Sequence, residues 1–394
     1  MNLRYAGSVL ALAIAVAPAA RAATLQVGPG RPYAKPCAAI AAAGHGDTIE
    51  VDAAGNYDGD VCTWTKNGLT LRGVNGRPHI RAAGQHAQGK AIWVIAGNDT
   101  TIENVEMSGC SVPDGNGAAI RQEGTNLTLR HVYFHHNENG ILTSANAAST
   151  IAIEYSEFAN NGAGDGYTHN LYIGRIGRLV FRHSWSHHAV VGHLLKSRAV
   201  RNDILYSRLT GETGASASYE LSFPNGGLVF VIGNLIQQPS TSQNGTMLDY
   251  LSEGAGANTD HRLFVVNNTF VNQRSAGTFL SIHPGTTQAP LARNNLFHGA
   301  GTVTSHAGTV LDHNHAGSAA LFVDPSLYDY RLLPTAGAVI DAGVAPGSGA
   351  GESLQPLYEY VHPVGRAPRA QAGAIDIGAY EFGDSQVFRD GFED

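Results

Sequence analysis

Residues 127–158 read LTLRHVYFHHNENGILTSANAASTIAIEYSEF. Two alternating apolar runs, Leu127–Phe134 and Ile151–Phe158, start 24 residues apart, with a shorter run (GILTSA, 140–145) and Asn- and Gly-containing turns between them. Short β-branched and aromatic runs with a period of two read as strands. Nothing between them has the length or period of a crossover helix.

Outward from this stretch the same shape recurs. Eight segments share it: Thr100–Met107, Leu127–Phe134, Ile151–Phe158, Leu179–Ser186, Asn202–Leu209, Leu228–Leu235, Leu263–Phe270 and Pro290–Phe297. Their starts are separated by 27, 24, 28, 23, 26, 35 and 27 residues. The third position of the repeat carries Ile102, Leu129, Ile153, Phe181, Ile204, Phe230, Val265 and Ala292. A second strand-like piece follows each: GAAIRQE, GILTSA, HNLYIG, HLLKSR, SYELSF, TMLDYL and TFLSIH. One such turn cannot bury its apolar side alone, but stacked turns share a continuous core. The reading is an all-β, single-stranded right-handed parallel β-helix of about 8–11 coils. Asn104, Asn267 and Asn294 at the fifth position, and Asn268 and Asn295 at the sixth, fit left-handed turns whose amides bond to the next rung.

The ends and the composition complete the outline. Arg4, the apolar stretch Val9–Ala20 and the small-x-small site Ala20-Arg21-Ala22 read as a signal peptide over residues 1–22. Ala-rich residues 36–43 (PCAAIAAA) are expected to cap the first coil, with the β-helix running over 23–382 and a tail over 383–394. Without Arg4 and Arg21, 23 cations face 32 carboxylates, a net charge of −9. That balance argues against a nucleic-acid-binding surface. Of the three cysteines, Cys37 and Cys62 lie near the cap and are the preferred disulfide pair, leaving Cys110.

The stretches LQVGPGRPY (25–33), GDTIEV (46–51), GNYDGD (55–60) and LTLRGVNGRPHI (69–80) resemble the start of secreted right-handed β-helix proteins of the pectate-lyase-like superfamily. YRLLPTAGAVIDAG (330–343) and DIGAYEF (376–382) resemble the end of its bacterial members, and the final VFRDGFED resembles short tails of exported Gram-negative proteins. The resemblance implies a secreted (periplasmic or extracellular) carbohydrate-active enzyme and makes a polysaccharide lyase acting on a uronate polymer the leading reading. Such a protein is expected to be a monomer with an acidic polysaccharide as partner.

Candidate chemistry clusters in three turns. His169 and His193 stand 24 residues apart, as do Tyr172 and Lys196, and Lys196 and Glu220. Rungs lie ~4.8 Å apart, so Tyr172, Lys196 and Glu220 are expected to form one outward column. Strand alternation adds Asn170, Arg198 and Ser222 to that face. Lys196 is one of four lysines, and the others (Lys35, Lys66, Lys90) lie near the start. β-Elimination needs the uronate carboxyl neutralised, a base for the adjacent C–H, and an acid for the leaving oxygen. Arg198 suits the carboxylate. Tyr172, Lys196, His193 and His169 are the candidates for proton transfer; a carboxylate beside Lys196 favours its ammonium form and moves the base role toward Tyr172 or a histidine. Asn170, Glu220, Asn225, Asn244 and Tyr250 are the candidate sugar contacts. Glu220, Asp249 and Glu253 offer oxygen ligands for Ca²⁺, without a D-x-D-x-D loop. His135, His136, His183, His187 and His188 show no tight metal spacing and read as solvated or turn-capping, so zinc is not expected. Two rival readings are a glycoside hydrolase using carboxylates among Glu220, Asp249 and Glu253, and a non-catalytic adhesive β-helix. The typical pectate-lyase signature R-x-x-x-P-x-x-R is missing.

Overall fold

The computed structural model describes Met1 and residues 21–383. The expected signal peptide therefore lies almost wholly outside the described residues, as does the tail beyond Gly383. The chain winds into a parallel β-solenoid with three long sheets of 12, 10 and 9 strands. Each segment of the repeat crosses two of them: Leu127–Arg130 lies in the 12-stranded sheet and Tyr133–His135 in the 10-stranded sheet. The second pieces, such as Leu171–Ile173 and Lys196 with its neighbours in Leu195–Ser197, build the 9-stranded sheet.

The first rung starts earlier than the repeat suggests, because Thr24–Val27 already pairs with Thr48–Val51. The helix Pro36–Ala42 packs against Thr24–Val27, Thr48–Asp52 and Cys62–Trp64. The expected Cys37–Cys62 disulfide ties it to the last of these. Cys110 is buried and free, and burial pushes its thiol up to about 12, so it is unreactive.

Inside, rungs stack like on like. Ile102, Leu129, Ile153, Phe181 and Ile204 are fully buried and in register. At the next coil the expected register slips by one: Ile204 pairs with Val231, and Val231 with Val265. Val231 is thus the core residue. Phe230 faces outward, stacked on Phe264 with ring centroids 5.2 Å apart, beneath Leu354. A one-residue slip exchanges the faces of a strand. LVFVI (228–232) is apolar on both faces, so alternation carries no signal there.

The corners follow the Asn reading. Asn104, Asn267 and Asn294 have φ of 53°, 51° and 54°. Asn234, Asn268, Asn295 and Asn314 form a ladder, buried up to Asn295, in which the side-chain oxygens of the last three each accept from the preceding asparagine's backbone and side-chain N–H groups at 2.9–3.0 Å. His131, Tyr155, His183 and Tyr206 occupy the same left-handed corner and stack at 5.0–5.5 Å.

His183 in that stack is fully buried and its ring nitrogens have no hydrogen-bond partner among the described residues. Burial, aided by Arg366 and Arg182, lowers its pKa to about 3. The unfolded ring takes a proton below about pH 6.5 while the native ring stays neutral to about 3. Stability is therefore present above pH 6.5 and lost as pH falls through this window, by at most about 1.4 kcal/mol per pH unit for this group. His183→Asn keeps a residue suited to positive φ and should flatten the acid limb of stability between pH 6 and 4 in urea titrations. Parallel wild-type and variant curves would contradict the assignment.

Coil stacking ends at Val310–Asp312 and His315–Gly317. Residues 318–383 then run back along the outside. Glu352 reaches Arg201 at 2.8 Å, the Leu357 N–H reaches the Tyr206 hydroxyl at 3.1 Å, and His362 lies edge-on to Trp185 at 4.5 Å. This strap explains why the outer faces of the later coils are apolar.

Candidate functional site

The 9-stranded sheet positions the outward residues of the central coils. Tyr172 pairs with Lys196, Lys196 with Ser222, Ser222 with Asp249, and Asp249 with Ser281. The expected column therefore holds for Tyr172 and Lys196 but continues through Ser222, not Glu220. The step after Lys196 is 26 residues, and the first-strand spacing from Asn202 to Leu228 has that same length.

Glu220 is a correction. It is fully buried, its one side-chain hydrogen-bond partner among the described residues is the Gln238 amide at 3.4 Å, and burial drives its carboxyl well above the usual carboxylate range. Asn170 is another: the chain turns before Leu171, so its amide points inward, to Phe158 O, Ser186 Oγ and His187 O at 2.8–3.1 Å. Tyr250 is also a core residue, its hydroxyl donating to Gly227 O at 2.7 Å. Asn244 caps the backbone of Thr246. Among the described residues Glu220, Asp249 and Glu253 do not converge into a cation site.

Arg198, two residues beyond Lys196, is the hub of the outward cluster. Its Nε donates to the Tyr172 hydroxyl at 3.0 Å. One terminal nitrogen reaches Glu253 Oε2 at 2.7 Å and also the Asn225 side-chain oxygen. Lys196 Nζ stands 3.5 Å from the other Glu253 oxygen and 5.5 Å from the Tyr172 ring centre. Burial alone lowers the Arg198 pKa, but its hydrogen bonds to Glu253 and Tyr172 outweigh this and raise it. Glu253 is held low, first by the Arg198 hydrogen bond and then by the Lys196 charge, against burial.

Glu253 arrives on the loop between Thr246–Tyr250 and Leu263–Val266, which accounts for the single 35-residue spacing. Asn258 anchors this loop by donating to Arg198 O and Ala199 O, both at 3.3 Å, while Arg175 donates to Asn258 at 3.1 Å and to Ala257 O at 2.9 Å. Asn225 holds it at Gly254 O, 3.1 Å away. The Glu253 side chain itself is 47% exposed, so the carboxylate can leave without disturbing the anchor.

Asp249 lies beside this cluster, bonded by Ser222 Oγ at 3.2 Å and Ser252 Oγ at 2.5 Å. Burial raises its pKa, partly offset by those hydroxyls and by His283. His169 and His193 stack at 4.4 Å, with His169 edge-on to Tyr172 at 5.5 Å. Both are buried. Desolvation, with neighbouring cations, lowers His169 to about 3; desolvation also carries His193 well below its ordinary value. His169 backs the Tyr172 ring, while His193 stands behind it against Tyr219 and Ser218 Oγ. Ser222 stands on the outward face that strand alternation gives it, in register with Lys196, whereas Ser252 and His283 carry no signal in the sequence.

No protein-family profile and no curated protein matches the sequence. Among solved structures, the chain is similar to the crystal structure of pectate lyase Pel9A, with a TM-score of 0.68 and 17% identity over 92% of this chain and 97% of that one. The fold is thus the right-handed parallel β-helix of the pectate-lyase type, with about ten turns.

Proposed function

We propose that the protein is an exported polysaccharide lyase that cleaves a uronic-acid-containing polymer by β-elimination, with Tyr172, Lys196 and Arg198 as its reacting wall. The observation that carries this reading is Glu253: a carboxylate already sits between Arg198, at 2.7 Å, and Lys196, at 3.5 Å. The pair is therefore built to hold a carboxylate beside a phenol, which is the arrangement a uronate needs. The pectate-lyase-type scaffold supports the substrate class, and the disulfide suits an oxidising compartment. No described helix is long and apolar enough to cross a membrane.

In this reading the uronate displaces Glu253 and its carboxylate is neutralised by Arg198 and Lys196. Negative charge that develops on the carboxylate as the α C–H breaks falls on these two cations. Tyr172, as phenolate, takes the C5 proton; the C4–O bond breaks as the C4–C5 double bond forms. The phenol or a water then gives a proton to the departing glycosidic oxygen. Asn225 and Glu253 hold Arg198 between turnovers.

A second reading rests on the carboxylates. Asp249 is shifted up and Glu253 down, and two carboxyl groups with pKa values pushed apart are the pattern of a hydrolase acid and base. One assay separates the two. The mature protein is incubated with alginate, glucuronan, pectate and glycosaminoglycans, and ultraviolet absorbance is followed. A lyase leaves an unsaturated uronate that absorbs; a hydrolase does not. Tyr172→Phe should lower kcat by about 10²-fold with little change in KM, because the ring stays and the transferable proton goes. Wild-type turnover by this variant, or cleavage without absorbance, rejects the reading.

A further inference from the structure

A separate cluster lies on the 10-stranded sheet, away from the Tyr172 face. His79, Glu106 and His135 come from three consecutive rungs, where His79 pairs with Glu106 and Ser108 with His135. Glu106 Oε1 is 3.2 Å from His79 Nδ1 and 3.0 Å from His135 Nε2. One ligand atom from each residue lies within 4.8 Å of the other two. Two ligands about 2.0–2.1 Å from a tetrahedral ion stand about 3.3 Å apart, so the cluster already has nearly the spacing an ion needs.

The far nitrogens are also held. His79 Nε2 is 2.7 Å from Ser108 Oγ, and His135 Nδ1 is 2.7 Å from His136 Nδ1. These contacts fix ring orientation and can take the remaining N–H, which is how ligating histidines are usually supported. Tyr133 stacks on the His135 ring at 4.3 Å. The three side chains are 14–29% exposed, enough for an ion to enter and for water to complete the shell.

The same sheet holds an internal control. Two rungs on, Glu157 lies 3.1 Å from His187 Nε2, and His187 Nδ1 lies 2.7 Å from His188 Nδ1. There the residue paired with Glu157 on the preceding rung is Tyr133, where the first cluster has His79. The carboxylate–histidine ladder is thus a repeated structural device, and only the first copy gains a third ligand.

We propose that His79, Glu106 and His135 bind a zinc ion, pinning three consecutive coils and leaving one position to water. Two imidazoles and one carboxylate suit zinc, whereas Ca²⁺ and Mg²⁺ prefer oxygen alone. Sequence spacing does not point to this cluster, because its members are 27 and 29 residues apart and are joined by coil register.

The test uses chelator-treated mature protein titrated with ZnCl₂ by calorimetry and with CoCl₂ by visible absorption. One equivalent should bind saturably, and Co²⁺ should give the intense bands of a tetrahedral site. His79→Ala and Glu106→Gln should each weaken binding by tenfold or more, and Ser108→Ala by about tenfold. His187→Ala should leave affinity and stoichiometry unchanged. Melting curves of the metal-free proteins separate misfolding from ligand loss, and Glu106→Gln preserves shape if an alanine variant does not fold. No saturable binding by wild type, binding that survives Glu106→Gln, or equal loss in His187→Ala overturns the proposal.

Discussion

Arg198→Ala is expected to reduce kcat/KM on the cleaved polyuronate by roughly 10³-fold, at the upper end for loss of one preorganised electrostatic contact. The guanidinium touches the phenol, Asn225 and Glu253 at once, so its removal takes away half of the carboxylate clamp and the donor that fixes Tyr172. Glu253 is then left with Lys196 alone. Arg198→Lys should recover little, since a point charge cannot serve the carboxylate and the phenol together. The loss should appear mainly in kcat, because charge on the uronate grows in the transition state. The side chain is 22% exposed, so the melting temperature should move by only a few degrees. Activity within a few fold of wild type would remove Arg198 from the chemistry.

The largest expected effect on stability lies at the other end of the chain. Arg369 and Glu381 form an ion pair at 2.8 Å with side chains 1% and 3% exposed. Arg369 also donates to Gly378 O at 3.1 Å and Asp376 O at 3.2 Å, and Glu381 accepts from the Asp376 N–H. Burial raises the Glu381 pKa, against the pull of Arg369. Arg369→Ala leaves that carboxyl buried without its partner and should cost about 3–5 kcal/mol in urea unfolding. The loss should open the strap first, exposing the Phe230–Phe264 stack to hydrogen exchange before the coils. Arg369→Met combined with Glu381→Leu should return most of the stability, because no charge is stranded. A single variant within 1 kcal/mol of wild type would show that the strap is held elsewhere.

The scaffold was legible because parallel coils repeat their inward residues, and Ile102, Leu129, Ile153, Phe181 and Ile204 announce one another along the chain. Legibility fails where a second layer covers the sheet. Under the strap, Phe230 and Val231 are both apolar, and only backbone pairing reveals which faces the core. Turns fail for a related reason: strand parity does not pass through a corner, so Asn170 points inward although its distance from Tyr172 says otherwise.

The candidate wall was partly legible. Tyr172, Lys196 and Arg198 do meet, but a constant 24-residue step places Glu220 where Ser222 stands. The carboxylate that engages the two cations is Glu253, delivered by a loop whose only trace in the sequence is one long interval between strands. Coil length varies because loops at the corners vary, so register must be counted turn by turn.

The most direct test of a uronate-eliminating wall is the mass of the product released in heavy-oxygen water. Elimination predicts fragments with an unsaturated end, one water lighter than hydrolytic fragments and without heavy oxygen at the new reducing end. Uptake of one heavy oxygen per cleavage, or no cleavage of any uronate polymer, would contradict it.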